Sequence, residues 1–191
     1  MGAALLFLGY FCGSLPFGVW VSKRRAGFDP RFHGSGNIGA TNVARLAGKR
    51  LGGVVLLLDA LKGALPVWLA TRWMPHDVWM HAAVGLSAFL GHVSSVWLGF
   101  RGGKGVATAL GVTAVLLPWS ALGAAVVYAG VLSRWRISAL GSLCAGITAF
   151  GVGLFSKGQH PYTVMSAAFM AAMFWTHRTN LKRLRKRIAG G

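Results

Sequence analysis

The 28 residues Gly105–Leu132, GVATALGVTAVLLPWSALGAAVVYAGVL, carry no charge at all. At ~1.5 Å per residue a single helix of this length would run about 42 Å, well beyond the ~30 Å hydrocarbon core of a bilayer. Pro118 stands near the middle, where it removes an amide donor and crowds the preceding turn. The stretch therefore reads as two short helices meeting at a proline turn. Basic residues flank it, Arg101 and Lys104 before, Arg134 and Arg136 after. Two crossings bring those cations to one face of the membrane, and one crossing would separate them.

Five more apolar runs extend outward from this stretch. They are Ala3–Val21, Leu51–Trp73, Val78–Gly99, Ile137–Phe155 and Tyr162–Trp175. The first has no basic region before it and is followed by Lys23-Arg24-Arg25, so it reads as an uncleaved first span rather than a signal peptide. Of the 191 residues 54% are hydrophobic and only 12% charged, which excludes disorder and a water-soluble nucleic-acid binder. The charge is lopsided, 20 Lys and Arg against 3 Asp and Glu.

Lys and Arg accumulate in cytoplasmic loops, so their placement decides the number of crossings. With the N-terminus outside and seven helices, the inward cations are Lys23, Arg24, Arg25, Arg31, Arg45, Lys49, Arg50, Arg101, Lys104, Arg134, Arg136, Arg178, Lys182, Arg183, Arg185, Lys186 and Arg187, 17 of the 20. Arg72 and Lys157 fall outside, and Lys62 lies within the second span. Six helices would strand Arg134, Arg136 and the basic tail outside. Five would misplace only Arg134 and Arg136. The expectation is an all-α integral membrane protein of seven transmembrane helices, with five as the alternative. Residues 1–191 then form one polytopic domain with a cytoplasmic C-terminus. Cys12 and Cys144 fall inside spans as small packing residues, and most of the 28 glycines serve close helix packing.

Three polar segments should meet at the inner face. Gly34-Ser35-Gly36-Asn37-Ile38-Gly39-Ala40-Thr41-Asn42 combines glycines, which let backbone N–H groups converge on an anion, with small side-chain donors. Arg45 follows with a fork suited to phosphate. Gly99-Phe100-Arg101-Gly102-Gly103-Lys104-Gly105 opens a helix, so helix-terminal amides and an ammonium can hold an anion together. It is not a Walker loop, because Leu98 and Gly105 stand where that loop needs Gly and Ser or Thr. Thr176-His177-Arg178-Thr179-Asn180 ends the last span, with His177 and Asn180 on one helical face. Ser142 could line the same pocket or merely cap its helix.

Asp59 and Lys62 lie three apart in an apolar helix, either as a functional pair or as a neutral pair that positions the glycine loops. His92 is open between a loop-orienting hydrogen bond and a substrate contact. Asp29 is the one carboxylate on the inward face, so a two-carboxylate hydrolase or a divalent-metal site is hard to build there. No His precedes an Asp by five residues, as soluble-headed acyltransferases require. Chemistry here must work by positioning and charge neutralisation. A transporter for a phosphorylated solute and a lipid-binding scaffold are the rival classes, but transporters more often place polar groups near the midplane.

The chain resembles the bacterial acyl-phosphate:glycerol-3-phosphate acyltransferase (PlsY) family over essentially its whole length. GSGNIGATNVAR at Gly34–Arg45, D-x-L-K-G-x-x-P at Asp59–Pro66, Gly91-His92, FRGGKGVAT at Phe100–Thr108 and His177 with Asn180 carry the likeness. Thr176 departs from it, where members often have Arg. The resemblance implies seven helices, an outer N-terminus and a site at the cytoplasmic face of the bacterial inner membrane. It implies acyl transfer from acyl-phosphate to the 1-hydroxyl of glycerol 3-phosphate, giving lysophosphatidic acid and inorganic phosphate in phospholipid synthesis. No metal, acyl-CoA or acyl carrier protein is expected, and anionic lipids should lie against the basic face. Ser35, Arg45, Lys104, His177 and Asn180 carry over as catalytic positions. Gly34, Ser35, Gly36, Asn37, Thr41, Asn42, Arg45, Gly102, Gly103, Lys104, Ser142, His177 and Asn180 carry over as substrate-binding positions. On this reading Lys104, Arg45, Ser35 and backbone amides cradle phosphate, while His177 or a substrate phosphate takes the hydroxyl proton.

Overall fold

The structure, a computed structural model, describes residues 1–158 and 160–189, with side chains through Arg185. The side chains of Lys186 and Arg187, expected among the inward cations, lie outside the described residues. Ten α-helices run through the described chain. In order they are α1 (Gly2–Ser14), α2 (Phe17–Ala26), α3 (Ala40–Ala47), α4 (Lys49–Trp73), α5 (Val78–Val93), α6 (Val106–Leu116), α7 (Pro118–Trp135), α8 (Ser138–Lys157), α9 (Pro161–Thr176) and α10 (Arg178–Ala189).

The run Gly105–Leu132 is broken where the proline requires it. α6 ends at Leu116, and Pro118 takes the first position of α7, where its missing amide costs no hydrogen bond. The run Ala3–Val21 was expected as one helix and is two. Pro16 separates α1 from α2, and the Lys62 ammonium of α4 donates to the Leu15 carbonyl at this break, at 2.7 Å. The expected span Val78–Gly99 ends early as α5, followed by a single 3-10 turn at Val96–Leu98.

Four stretches are long and apolar enough to cross a bilayer: Gly2–Ala26, Lys49–Trp73, Val78–Leu98 and Ser138–Lys157. α6 has 11 residues, a rise of only about 16 Å.

Apolar side chains gain little by leaving lipid for another apolar surface, so helices in membranes associate through close backbone approach and hydrogen bonds. The α1–α5 contact shows both. A Cβ on Gly13 would overlap the Ala88 backbone, and one on Gly91 would overlap the Tyr10 carbonyl. Across the same seam Tyr10 donates to the Ser94 carbonyl at 2.7 Å, Ser87 to Leu6 at 2.7 Å and Ser95 to Ser14 at 2.6 Å. α4 meets α6 likewise, through Gly63 against Thr108 and Gly111 against Ala60. Between α5 and α9 the Phe89 and Phe169 rings lie 5.0 Å apart, beside Val84, Val112 and Met165.

Candidate active site

Two glycine loops touch each other. Ile38 is buried between them: a Cβ on Gly18 of α2 would overlap its carbonyl, and one on Gly103 would lie 3.1 Å from its Cγ1. The segment Gly34–Asn42 and the turn Gly99–Gly105 therefore share one end of the bundle.

The first loop is organised by Asn42. Its amide nitrogen donates toward the carbonyls of Pro30, His33 and Asn37 at 3.2, 3.1 and 2.9 Å, and its Oδ1 accepts from the Ser35 amide at 2.9 Å. The side chain is 2% exposed and fully occupied, so Asn42 builds the loop rather than offering a substrate donor. Gly34 and Gly36 adopt φ of +61° and +73°, which side chains resist. Three amides of the expected nest are already taken: Ser35 N–H serves Asn42, Gly36 N–H serves the His33 carbonyl, and Gly39 N–H serves Asn37 Oδ1. What the loop presents outward is the exposed Ser35 side chain and, on α3, exposed Thr41 and Arg45 one turn apart.

α3 docks on the start of α8. Thr41 Oγ1 and Ser138 Oγ lie 3.0 Å apart, and Tyr128 OH is 2.9 Å from the same Ser138 oxygen. Ser142, one turn along α8, is buried and donates to the Ser138 carbonyl at 2.9 Å. Sequence reasoning passed over Ser138 and Tyr128, because nothing local marks a hydroxyl that bridges 97 residues.

In the second loop the amides of Gly102 and Gly103 donate to the Val93 and His92 carbonyls, each at 3.0 Å. These glycines therefore shape the turn against the end of α5, and they too have no free amide for a ligand. A Cβ on Gly102 would overlap the His92 carbonyl. Beyond the turn, α6 begins without a side-chain cap. Its first amides, Val106 and Ala107, are left open by helix geometry directly after Lys104.

Lys104 crosses to the last segment. Its Nζ donates to Asn180 Oδ1 at 2.5 Å, and its carbonyl lies 3.3 Å from the Thr176 hydroxyl. Thr176, where the chain departs from the motif, thus touches the backbone of the site lysine. Burial, and then the nearby Arg183 charge, lower the Lys104 pKa to about 8. His177 is 2% exposed. Its Nδ1 sits 2.8 Å from the Met173 carbonyl, which can only accept, so Nδ1 carries the proton and Nε2 is the free acceptor. Burial, and then the Lys104 charge, lower the His177 pKa to about 4, so the ring is neutral at pH 7.

Carboxylates near this cationic end are neutralised by ion pairs. Asp29 pairs with Arg31 at 2.7 Å and Lys23 at 3.2 Å, and the Arg31 hydrogen bonds hold its pKa far below the usual range. Asp59 is buried against Lys62 at 2.8 Å. The structure thus brings Ser35, Thr41, Arg45, Lys104, Ser142, His177 and Asn180 to one end. Asn42 and Gly103 are buried and Gly102 half-buried as loop architecture, whereas Gly34 and Gly36 are exposed and Asn37 is half-buried with its side chain on the Gly39 amide.

Comparison with known proteins agrees across the chain. The family model described as Glycerol-3-phosphate acyltransferase matches residues 3–187. A glycerol-3-phosphate acyltransferase of Myxococcus xanthus is 56% identical over 187 residues, covering 98% of this chain and 97% of the relative. One from Anaeromyxobacter sp. strain K is 48% identical, covering 96% and 94%. The crystal structure of PlsY, an integral membrane glycerol 3-phosphate acyltransferase, in its glycerol 3-phosphate form superposes with a TM-score of 0.92 at 38% identity, covering 97% of this chain and 92% of that one. Its lysophosphatidic acid form gives 0.90 at 37% identity over the same shares.

Proposed function

The chain belongs to the glycerol-3-phosphate acyltransferase family, and from that premise we propose that it moves a fatty acyl group from acyl-phosphate to the 1-hydroxyl of glycerol 3-phosphate. It is an integral membrane acyltransferase of glycerophospholipid biosynthesis. The products on this reading are lysophosphatidic acid and inorganic phosphate. Residues 1–191 act as one domain that crosses the bacterial plasma membrane seven times. α1 and α2 make the first crossing, and α4 to α9 make the rest. The N-terminus is outside and the site faces the cytoplasm, where basic α10 lies against anionic lipid headgroups.

The observation that carries the proposal is the meeting of Lys104 with Asn180 and His177 at the end of the bundle that also holds Arg45. Both substrates are anions, and this end supplies cations and hydroxyls without a free carboxylate. Lys104, Arg45, Ser35 and the open amides of α6 bind phosphate oxygens, and Ser142 joins them by turning its hydroxyl from the Ser138 carbonyl. Thr41 supports α3 through Ser138. Acyl-phosphate is a mixed anhydride, so its carbonyl carbon is already activated. The hydroxyl oxygen attacks that carbon, the bond to the phosphate oxygen breaks, and the cations stabilise the charge growing on the departing phosphate.

The hydroxyl proton goes to a phosphate oxygen. Protonating His177 at pKa about 4, against a reference near 6.5, costs about 3 kcal/mol more than for an ordinary histidine. A phosphate monoester titrates near ~6 and is the better acceptor. His177 instead accepts a hydrogen bond through Nε2 from the neighbouring 2-hydroxyl of glycerol 3-phosphate, with Asn180 alongside, and so leaves the proton of the attacking hydroxyl directed at the phosphate oxygen.

The decisive experiment uses purified protein in detergent with acyl-phosphate and glycerol 3-phosphate. Phosphate release and ester formation should require both substrates and proceed with chelator present. Phosphate release without glycerol 3-phosphate, or turnover only with acyl-CoA, would overturn the reading.

A further inference from the structure

Three buried ionisable groups stand directly behind the turn that carries Lys104 and take no part in the steps above. Asp59 and Lys62, one turn apart on α4, are 2% and 4% exposed and form an ion pair at 2.8 Å. Asp59 Oδ1 lies 3.8 Å from Nδ1 of His92, which is 3% exposed near the end of α5. The same Nδ1 shares a hydrogen bond with the buried Thr108 hydroxyl of α6 at 3.1 Å. The opposite edge of the ring, at Nε2, abuts Gly103 so closely that a Cβ there would overlap it. The backbones are joined as well, because the Gly103 and Gly102 amides donate to the carbonyls of His92 and Val93.

Charged groups inside a span are expensive, and well-packed apolar side chains of the same volume would fill this space at less cost. What they would not supply is a fixed ring orientation. Thr108 and Asp59 act on one edge of the imidazole, and the glycine turn rests on the other.

We propose that His92 is a positioning residue for the acyl transfer. Held by Thr108 and braced by the Asp59–Lys62 pair, its ring is the stop on which the Gly102–Lys104 turn seats, and it thereby sets where the Lys104 ammonium meets substrate phosphate. The proposal rests on the reading of Lys104 as a phosphate ligand.

The test compares His92→Asn, Gly103→Ala, the two together, and Lys104→Ala, in the full chain purified in detergent. kcat and KM for each substrate are measured with the thermal midpoint. Gly103→Ala should lower kcat/KM about 30-fold in the wild-type background but under about threefold beside His92→Asn, whose shorter side chain makes room. Equal losses in both backgrounds overturn the proposal, because a His92 that merely fills space would not couple to the turn in activity. Should His92→Asn not fold, the isosteric Thr108→Val releases the same ring. A lowered kcat/KM at an unchanged thermal midpoint supports the proposal, and an unchanged kcat/KM overturns it. Full activity in Lys104→Ala would instead remove the site reading beneath it, whatever the His92 variants show.

Discussion

Lys104 and Asn180, 76 positions apart in sequence, are joined by a hydrogen bond from Nζ to Oδ1 at 2.5 Å. The contact ties the second glycine turn to the start of α10, and it gives the ammonium a neutral partner rather than a carboxylate. A neutral partner aims the lysine and leaves the charge of the ammonium uncancelled.

Replacing Lys104 with Ala should lower kcat/KM at least ~100-fold, about 2.7 kcal/mol of transition-state stabilisation. Stability should move the other way. The folded pKa, about 8, lies below that of a free lysine, so folding disfavours the ammonium. That cost is complete below about pH 8 and is relieved as pH rises toward 10.5. Lys104→Met should therefore unfold at a higher temperature than wild type at pH 7 while remaining inactive. A lowered midpoint, or a rate loss under threefold, would contradict this account. The same titration should bend kcat/KM downward above about pH 8. Asn180→Asp, by placing a negative charge on Nζ, should shift that limb to higher pH.

His177 yields a prediction of opposite kind. With a pKa near 4 it keeps one protonation state between pH 5 and 8, so it cannot produce a rate limb in that window. His177→Gln should lower kcat by removing an oriented acceptor, yet leave the shape of the profile intact. A limb between pH 5 and 7 that vanishes in the variant would make His177 the base.

Asn42→Ala tests the architecture of the first loop. The truncation leaves the Ser35 amide and the carbonyls of Pro30, His33 and Asn37 without their buried partner. The buried Pro30 carbonyl costs about 1–3 kcal/mol when orphaned, the three part-buried groups cost less because water reaches them, and the sum should exceed that of any single replacement on the exposed face of α3. Asn42→Asp should do no better, since it keeps the acceptor for Ser35 but points an anion at three carbonyls. A thermal midpoint equal to wild type would show that the loop does not depend on this amide.

How far the sequence could be read follows from the range of each interaction. Pro118 announced the α6–α7 break because proline acts on its own turn, and the basic clusters indicated which ends belong together. Pro16 was missed because the apolar run passes through it uninterrupted, and the compensation, Lys62 on the Leu15 carbonyl, comes from 47 residues away. The same limit governs the site. Ser35, Arg45, Lys104, His177 and Asn180 were legible as polar residues of one end of the bundle. Composition, however, cannot tell an asparagine that faces a ligand from one that faces its own loop. Nor does it reveal that the amides of Gly102 and Gly103 are taken by the end of α5, or that Thr176, Ile38 and Ser138 lock the segments together. Those facts belong to long-range packing.

The path of the chain across the bilayer rests on the turn at Pro118. α6 is short for a crossing, but it is continued at its N-terminal end by the glycine turn and docked on α4 through Gly111 against Ala60. Seven crossings place Pro118 at the outer surface and Arg134 at the inner one, whereas five would merge α6 with α7 and α8 with α9 into single long crossings. Cysteines introduced by Pro118→Cys and Arg134→Cys, in a background with Cys12→Ala and Cys144→Ala, separate the two. A membrane-impermeant thiol reagent added to intact cells should label Pro118→Cys and spare Arg134→Cys until the membrane is opened. Labelling of Arg134→Cys from outside would place the start of α8, and Ser142 with it, across the bilayer from the proposed site. Acyl transfer at one cytoplasmic face could not then recruit Ser142, because the cluster of Thr41, Ser138 and Ser142 would be divided by the hydrocarbon core.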